Sequence, residues 1–218
     1  AGLPDPIDAI VHCAASHPGS GAGRIVRDNV LGTLKLIDYA RRAGARCFIF
    51  ASSLSVHGRV TVPVLDEATP RLDPDLYGVS KFLGEALLEE RAAEVPALAI
   101  RLPGVIGRGA RRNFLAGALE RLARHEPIEA YNPDAAFNNA AYVGDLAALI
   151  AGVLTRGLTG FDAVTVAASG EITLRGALER LAARVGSRSP LRFNASDRNS
   201  FKVSSARAIE RALGSHAP

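Results

Sequence analysis

Residues 47–58, C-F-I-F-A-S-S-L-S-V-H-G, change character halfway along. The first five form an uninterrupted apolar run of strand length, and the rest carry the serines and glycine of a turn. A strand with no polar face is covered on both sides, which is the condition of a parallel sheet between two layers of helices. The same transition recurs. The run 7–14, I-D-A-I-V-H-C-A, passes into H-C-A-A-S, and 97–102, A-L-A-I-R-L, passes into R-L-P-G-V-I-G. A fourth strand is predicted at 163–167, A-V-T-V-A.

Between these runs the pattern becomes helical. In 24–43, Ile25, Val30, Leu34, Ile37 and Ala40 recur at helical spacing and the segment stops at Gly44, a natural C-cap. Further helices are predicted at 76–94, with Asp73 or Asp75 as N-cap, at 114–124, at 144–154 and at 174–185, followed by a looser Arg- and Ser-rich tail. Strands alternating with helices predict an α/β, doubly wound parallel sheet. Ligands in such sheets bind beyond the carboxyl ends of the strands, where the polar turns of this sequence fall. The predicted division is a core of 1–107 with 140–168, and a small C-terminal substrate lobe of 108–139 with 169–218.

Composition narrows the function classes. The 218 residues are 48% hydrophobic and 22% charged, with a net charge of +4, ordinary for a globular protein. The basic residues are scattered among carboxylates instead of gathered into a stripe, which argues against a nucleic-acid partner. No segment reaches the roughly 18–20 apolar residues of a membrane span, and the N-terminus lacks the pattern of a signal peptide. A cytoplasmic protein is expected. Cys13 and Cys47 lie in apolar runs and read as small buried thiols, not as a disulfide or metal site. No metal is expected.

Of the 26 basic residues only Lys35, Lys81 and Lys202 are lysines. One of them closes D-P-D-L-Y-G-V-S-K, residues 73–81, four residues after Tyr77. That spacing puts both side chains on one helical face. A phenol with an ordinary pKa of about 10 is a poor base at neutral pH, and a nearby ammonium favours the phenolate. A serine hydroxyl sharing the same substrate oxygen can relay the proton. Ser52, Ser53 and Ser55 follow the second strand, although serines there also serve simply as turn formers.

Tyr-x-x-x-Lys after a serine-rich strand end resembles the short-chain dehydrogenase/reductase superfamily, and in particular its extended branch, the NAD-dependent epimerase/dehydratase family. Other segments are similar in order: D-A-I-V-H-C-A-A (8–15), D-N-V-L-G-T-L-K-L-I (28–37), F-I-F-A-S-S-L-S-V-H-G (48–58), I-R-L-P-G-V-I-G (100–107), Y-V-G-D-L-A (142–147) and A-R-A-I-E-R-A-L-G (206–214). The resemblance implies a Rossmann-like core binding NAD or NADP, with the choice between them unreadable. It implies Tyr77 as general base or acid, Lys81 on the nicotinamide ribose, and Ser53 on the reacting oxygen. Ala14, Ala15, Ser52, Pro103, Gly104 and Val105 would border the cofactor. Asn29 has two readings, cofactor site or backbone cap. Ser55, Arg108, Asn113 and Asn138 would face the substrate. Helices 24–43 and 76–94 would pair two copies as a homodimer.

Departures from the family pattern shape the remaining expectations. The resemblance begins at the family's fourth strand, and the Gly-rich turn that holds pyrophosphate at a helix N-terminus would lie upstream. G-S-G-A-G (19–23) reads as a flexible loop. With no Met in the sequence, translation is expected to start before Ala1. Without a neighbour, the first strand would leave Ile7, Ile10 and Val11 on an open apolar edge. Gly104 and Asn138 stand where family members that act on nucleotide sugars tend to carry diphosphate-binding Asn and Arg. Leu54 and Ser55 replace the Asp-Glu pair of the family's dehydratases. The expected reaction is therefore epimerisation or carbonyl reduction at a carbinol or carbonyl carbon of a sugar or small carbonyl compound. The alternative is a non-catalytic, ligand-binding or redox-sensing member of the same fold.

Overall fold

The computed structural model describes residues 4–170, 172–197 and 199–213. In chain order it contains β1 (Ala9–His12), α1 (Ala22–Ile25), a π-helical stretch (Val26–Leu31), α2 (Gly32–Arg42), β2 (Cys47–Ser53), a 3-10 turn (Leu54–His57) and β3 (Val64–Leu65). There follow α3 (Leu76–Glu90), β4 (Ala97–Leu102), β5 (Gly104–Ile106), α4 (Phe114–Ala123), β6 (Ile128–Tyr131), β7 (Ala140–Tyr142) and α5 (Val143–Arg156). The chain closes with β8 (Phe161–Thr165), α6 (Leu174–Arg184), β9 (Leu191–Asn194), β10 (Lys202–Val203) and α7 (Ala206–Leu213).

The four predicted strands form one sheet in the order β1-β2-β4-β8, parallel throughout. The period-two alternation of β2 sorts its side chains. Phe48 and Phe50 join Ile37, Ala40, Leu88 and Ala99 under α2 and α3, whereas Cys47 and Ile49 join Leu98, Val164, Leu149 and Val153 under α5. Both faces are covered, so every residue from Cys47 to Phe50 is buried. Each large apolar side chain contributes about 1.5–3 kcal/mol by leaving water.

β1 pairs only with β2 among the described residues, and Val11 on it is exposed. The expected apolar edge is narrower than the sequence implied. Ile7 and Ile10 pack against the cluster under α2 and α3.

A second, smaller core lies apart from the sheet. Ala118 and Leu122 of α4, Ile128 and Ala130 of β6, and Leu178 and Ala182 of α6 pack together, with Leu191 and Phe193 of β9 against them. The strands β6 and β9 pair in parallel here. The tail does not all follow this lobe. Ala208 of α7 joins the cluster under α5, so 206–213 returns to the sheet, and the tail that read as loose contains two strands and a helix. No helix among the described residues is long and apolar enough to cross a membrane.

Candidate active site

The site is built where α3 crosses the carboxyl end of β2. Asp75 caps the helix by accepting from the Gly78 backbone N–H at 2.7 Å. Small residues let the helix lie close to the strand. A Cβ on Gly78 would stand 2.1 Å from the Ser55 carbonyl oxygen, and one on Gly84 would stand 2.6 Å from the Phe50 ring. Three successive strand residues then meet three side chains spaced four apart on α3. Ser53 and Tyr77 border the same cavities, with Ser53 Oγ donating to Ser55 Oγ at 3.1 Å. The Ala51 carbonyl accepts from Lys81 Nζ at 2.7 Å. Ser52 donates to Glu85 Oε1 at 2.5 Å.

Glu85 is itself held. Arg101 of β4 donates to it from Nε at 3.0 Å and from Nη2 at 2.8 Å, with both side chains nearly fully buried. Arg101 Nη1 continues to the Glu67 carbonyl and lies 3.4 Å from His57 Nε2. His57 Nδ1 meets the Thr69 carbonyl at 2.9 Å, which makes Nδ1 the protonated nitrogen and leaves Nε2 to accept. Burial, and then Arg101, hold the His57 pKa below its ordinary value.

The two central groups have displaced titrations. Burial lowers the Lys81 pKa to about 8, opposed by Cys13 and Glu85. Burial raises Tyr77 above the usual phenol value, with the Ser53 hydroxyl pulling the other way and Asp75 adding to the rise. The expected lowering of Tyr77 by Lys81 is absent, because the ammonium lies 5.9 Å from the Tyr77 ring centre and desolvation dominates. At neutral pH Tyr77 carries its proton. His12, buried beside Lys81, falls to about 4, chiefly through desolvation.

Two cavities meet at this pair. The larger, 620 Å³, is bordered by Ser53, Ser55, Tyr77, Pro103, Gly104 and Asn113, with Phe114, Phe137 and Phe201 forming an apolar wall. The smaller, 270 Å³, is bordered by Cys13, Ala15, Ser52, Lys81 and Val105, and shares Ser53, Tyr77, Pro103 and Gly104 with the first. Ala15, Pro103 and Gly104, which are small or flat, line the smaller one together with Lys81. These residues suit the nicotinamide half of a dinucleotide.

Several expectations change at the level of single side chains. Asn29 is fully committed: its Oδ1 accepts from the Ser16 N–H at 2.7 Å, and its Nδ2 donates to the Ser16 carbonyl and to Ser80 Oγ. It therefore fixes the loop after β1 against α3 and does not offer its amide to a ligand. The π-helical stretch around it is a form often found at functional sites. Ser52 borders the smaller cavity, but its hydroxyl is taken by Glu85. Ala15 and Cys13 border that cavity and Ala14 does not. Cys13 is exposed, not buried, and only Cys47 fits the buried-thiol reading.

On the substrate side, Asn138 closes two hydrogen bonds with the Val203 backbone, which removes it from the site. Its neighbour Asn139 lines the larger cavity instead. Arg108 is exposed and borders neither cavity, whereas Arg111 and Arg112 do. Asn113 borders both cavities, while its amide donates to the Val105 carbonyl and caps α4 at the Ala116 N–H. Glu85 was not singled out from sequence, although its place four residues after Lys81 was the available signal. Among the described residues no group of three or more His, Cys, Asp or Glu is placed to hold a metal ion.

Comparison with known proteins gives partial-length relatives and structures of the same fold. The UDP-glucose 4-epimerase of Erwinia amylovora is 33% identical over 95 residues, which is 41% of this chain and 28% of that protein. The chain thus matches well under a third of the length of the curated relatives. Among solved structures, the UDP-glucuronic acid 4-epimerase of Bacillus cereus in complex with NAD superposes with a TM-score of 0.81 at 18% identity, covering 96% of this chain and 69% of that one. RMD from Pseudomonas aeruginosa complexed with NADPH gives 0.79 at 24% identity, covering 95% and 75%. At such identities the structures speak for the fold alone. A model of the NAD dependent epimerase/dehydratase family matches residues 3–166, three quarters of the sequence, and the chain belongs to that family.

Proposed function

We propose that this chain carries the catalytic and substrate-binding part of an NAD(P)-dependent epimerase or reductase acting on a carbinol or carbonyl carbon of a sugar or small carbonyl compound. The observation that carries the reading is the convergence of Ser53, Tyr77 and Lys81 on two adjoining cavities at the carboxyl ends of β2 and β4. A bound nicotinamide would supply or take the hydride. The chain's own part is to hold the reacting oxygen between Ser53 and Tyr77 and to move its proton. With Tyr77 protonated at neutral pH, the site is set to donate a proton to a carbonyl oxygen. In the reverse direction the phenolate accepts the proton of a substrate hydroxyl. Sugar substrates are supported by the curated relatives, which are UDP-glucose 4-epimerases.

The same reading includes a homodimer through 24–43 and 76–94. Val26, Leu31, Leu76 and Leu83 stand exposed on these helices, an arrangement that a second copy would cover. The protein would work without nucleic acid or membrane, in the cytoplasm. To test the activity, purified protein would be given isotopically labelled reduced NAD or NADP with simple ketones and aldehydes, and oxidised cofactor with UDP-sugars. Label in a product, or an inverted carbinol, supports the reading. A protein that binds these compounds and converts none would favour the non-catalytic alternative.

A further inference from the structure

The two central strands are apolar until their last residues. Cys47 to Phe50 on β2 and Ala97 to Ile100 on β4 are buried without a polar side chain. Then the pattern breaks. Ser52 stands opposite Arg101 across the two strands, and Glu85 of α3 joins them, accepting from Ser52 Oγ and from two nitrogens of Arg101. None of the three is more than 3% exposed. The cluster is also saturated. Arg101 directs its remaining nitrogen at the Glu67 carbonyl, beside His57 Nε2. Glu85 Oε2 has a second cation, Arg71, at 3.9 Å, and the Arg71 guanidinium lies over the Phe82 ring. Each side chain is thereby held in one orientation.

Stability does not account for such an arrangement. A buried ion pair gains little over apolar side chains of similar volume, because desolvation offsets the attraction. What it adds is direction, since charge-assisted hydrogen bonds fix angles that apolar contacts leave free. The directions fixed here belong to the site. Ser52 is followed by Ser53, which borders both cavities, and is preceded by Ala51, whose carbonyl accepts from Lys81. Glu85 and Lys81 are one helical turn apart on α3 and both are buried. The other groups around Lys81 are His12 and Cys13 at the end of β1, Tyr77 on its own helix, and Arg111 and Arg112 on the border of the smaller cavity. Glu85 is the one carboxylate among these described residues, and it borders neither cavity.

Resting on the catalytic reading above, we infer that Glu85, clasped by Arg101, is a positioning residue: it holds the end of β2 and the ammonium of Lys81 in place for the chemistry at Tyr77.

The test uses the full chain and the double variant Glu85→Leu, Arg101→Leu, in which neither charge of the pair is left buried alone. A second variant, Ser52→Ala, removes only the hydroxyl that Glu85 holds. Lysine labelled with carbon-13 at Cε makes the Lys81 titration visible by NMR, with Lys81→Arg assigning the signal. Loss of the carboxylate removes a charge that raises the Lys81 pKa, so Lys81 should titrate below its wild-type value of about 8. The alkaline fall of kcat/KM should move to lower pH with it. In the double variant kcat should fall roughly tenfold or more, and in Ser52→Ala roughly threefold, with KM changed less and urea unfolding still cooperative. Arg46→Gln, which breaks the exposed pair with Asp8, should change none of these. An unmoved Lys81 titration in the folded double variant overturns the inference, as does wild-type turnover in it. If the double variant does not fold, Glu85→Gln supplies the titration and Ser52→Ala the turnover, read in the same way. The titration needs no substrate, so its result stands even where no compound is converted, an outcome that counts against the catalytic reading alone.

Discussion

The side chain on which the proposed chemistry turns is Tyr77, and its surroundings work against the phenolate. Burial raises its pKa while lowering that of Lys81 to about 8. Both shifts follow from desolvating a charge. If the Lys81 ammonium is required, kcat/KM should fall as pH rises through about 8, and a pH profile measured on free enzyme and substrate would show it. Profiles flat to pH 10 would argue against that role. His12 makes an independent prediction. Its Nε2 meets Thr33 Oγ1, whose own proton goes to the Asn29 carbonyl, so the neutral ring donates from Nε2. With its pKa lowered from 6.5 to about 4, the unfolded state binds the proton first as pH falls. Stability should therefore drop between pH 6.5 and 4, by up to about 3 kcal/mol from this residue. Urea unfolding of the wild type and His12→Gln at several pH values would isolate it, as the variant should lose that part of the slope.

At the scale of elements, the site depends on α3 lying against β2. Gly78→Ala places a methyl group against the Ser55 carbonyl, and the helix must move. We expect a folded protein with turnover reduced at least tenfold, since small displacements of catalytic groups are expensive. Unchanged turnover would mean that the register of α3 is not critical. Glu85→Gln leaves the Arg101 guanidinium buried beside a neutral amide, which should cost about 3–5 kcal/mol of stability by denaturant unfolding. This part of the site was only half legible in the sequence. Tyr77, Lys81 and Ser53 were readable because a four-residue spacing and a polar strand end are local signals. The bond of Ser52 to Glu85 was not, because it depends on which face of β2 each serine occupies. Nor was the exchange of Asn138 for Asn139, since both side chains look alike until β10 pairs with one of them.

Across the whole molecule, the alternation of apolar runs and amphipathic helices was enough to place the four-stranded sheet and the helices on it. Short strands of the lobe escaped, because a four-residue strand such as β9, half exposed, carries little period-two signal. The return of α7 to the sheet also escaped, since it is decided by a long-range contact of Ala208. The exposed apolar residues of the α1–α2 and α3 helices give the prediction at this scale. Sedimentation should show a dimer, and Leu31→Glu with Leu83→Glu should shift it to monomer without loss of helicity. A wild type that is monomeric at every concentration would remove the proposed interface.

The central claim is that this fold presents Tyr77 as the proton donor and acceptor at the reacting carbon. The most direct measurement is turnover of Tyr77→Phe, in the protein with proven activity, under conditions where binding of substrate and cofactor is shown to be unchanged. A loss of a hundredfold or more is expected, the size of a general acid–base contribution. Turnover within a few-fold of wild type would contradict it.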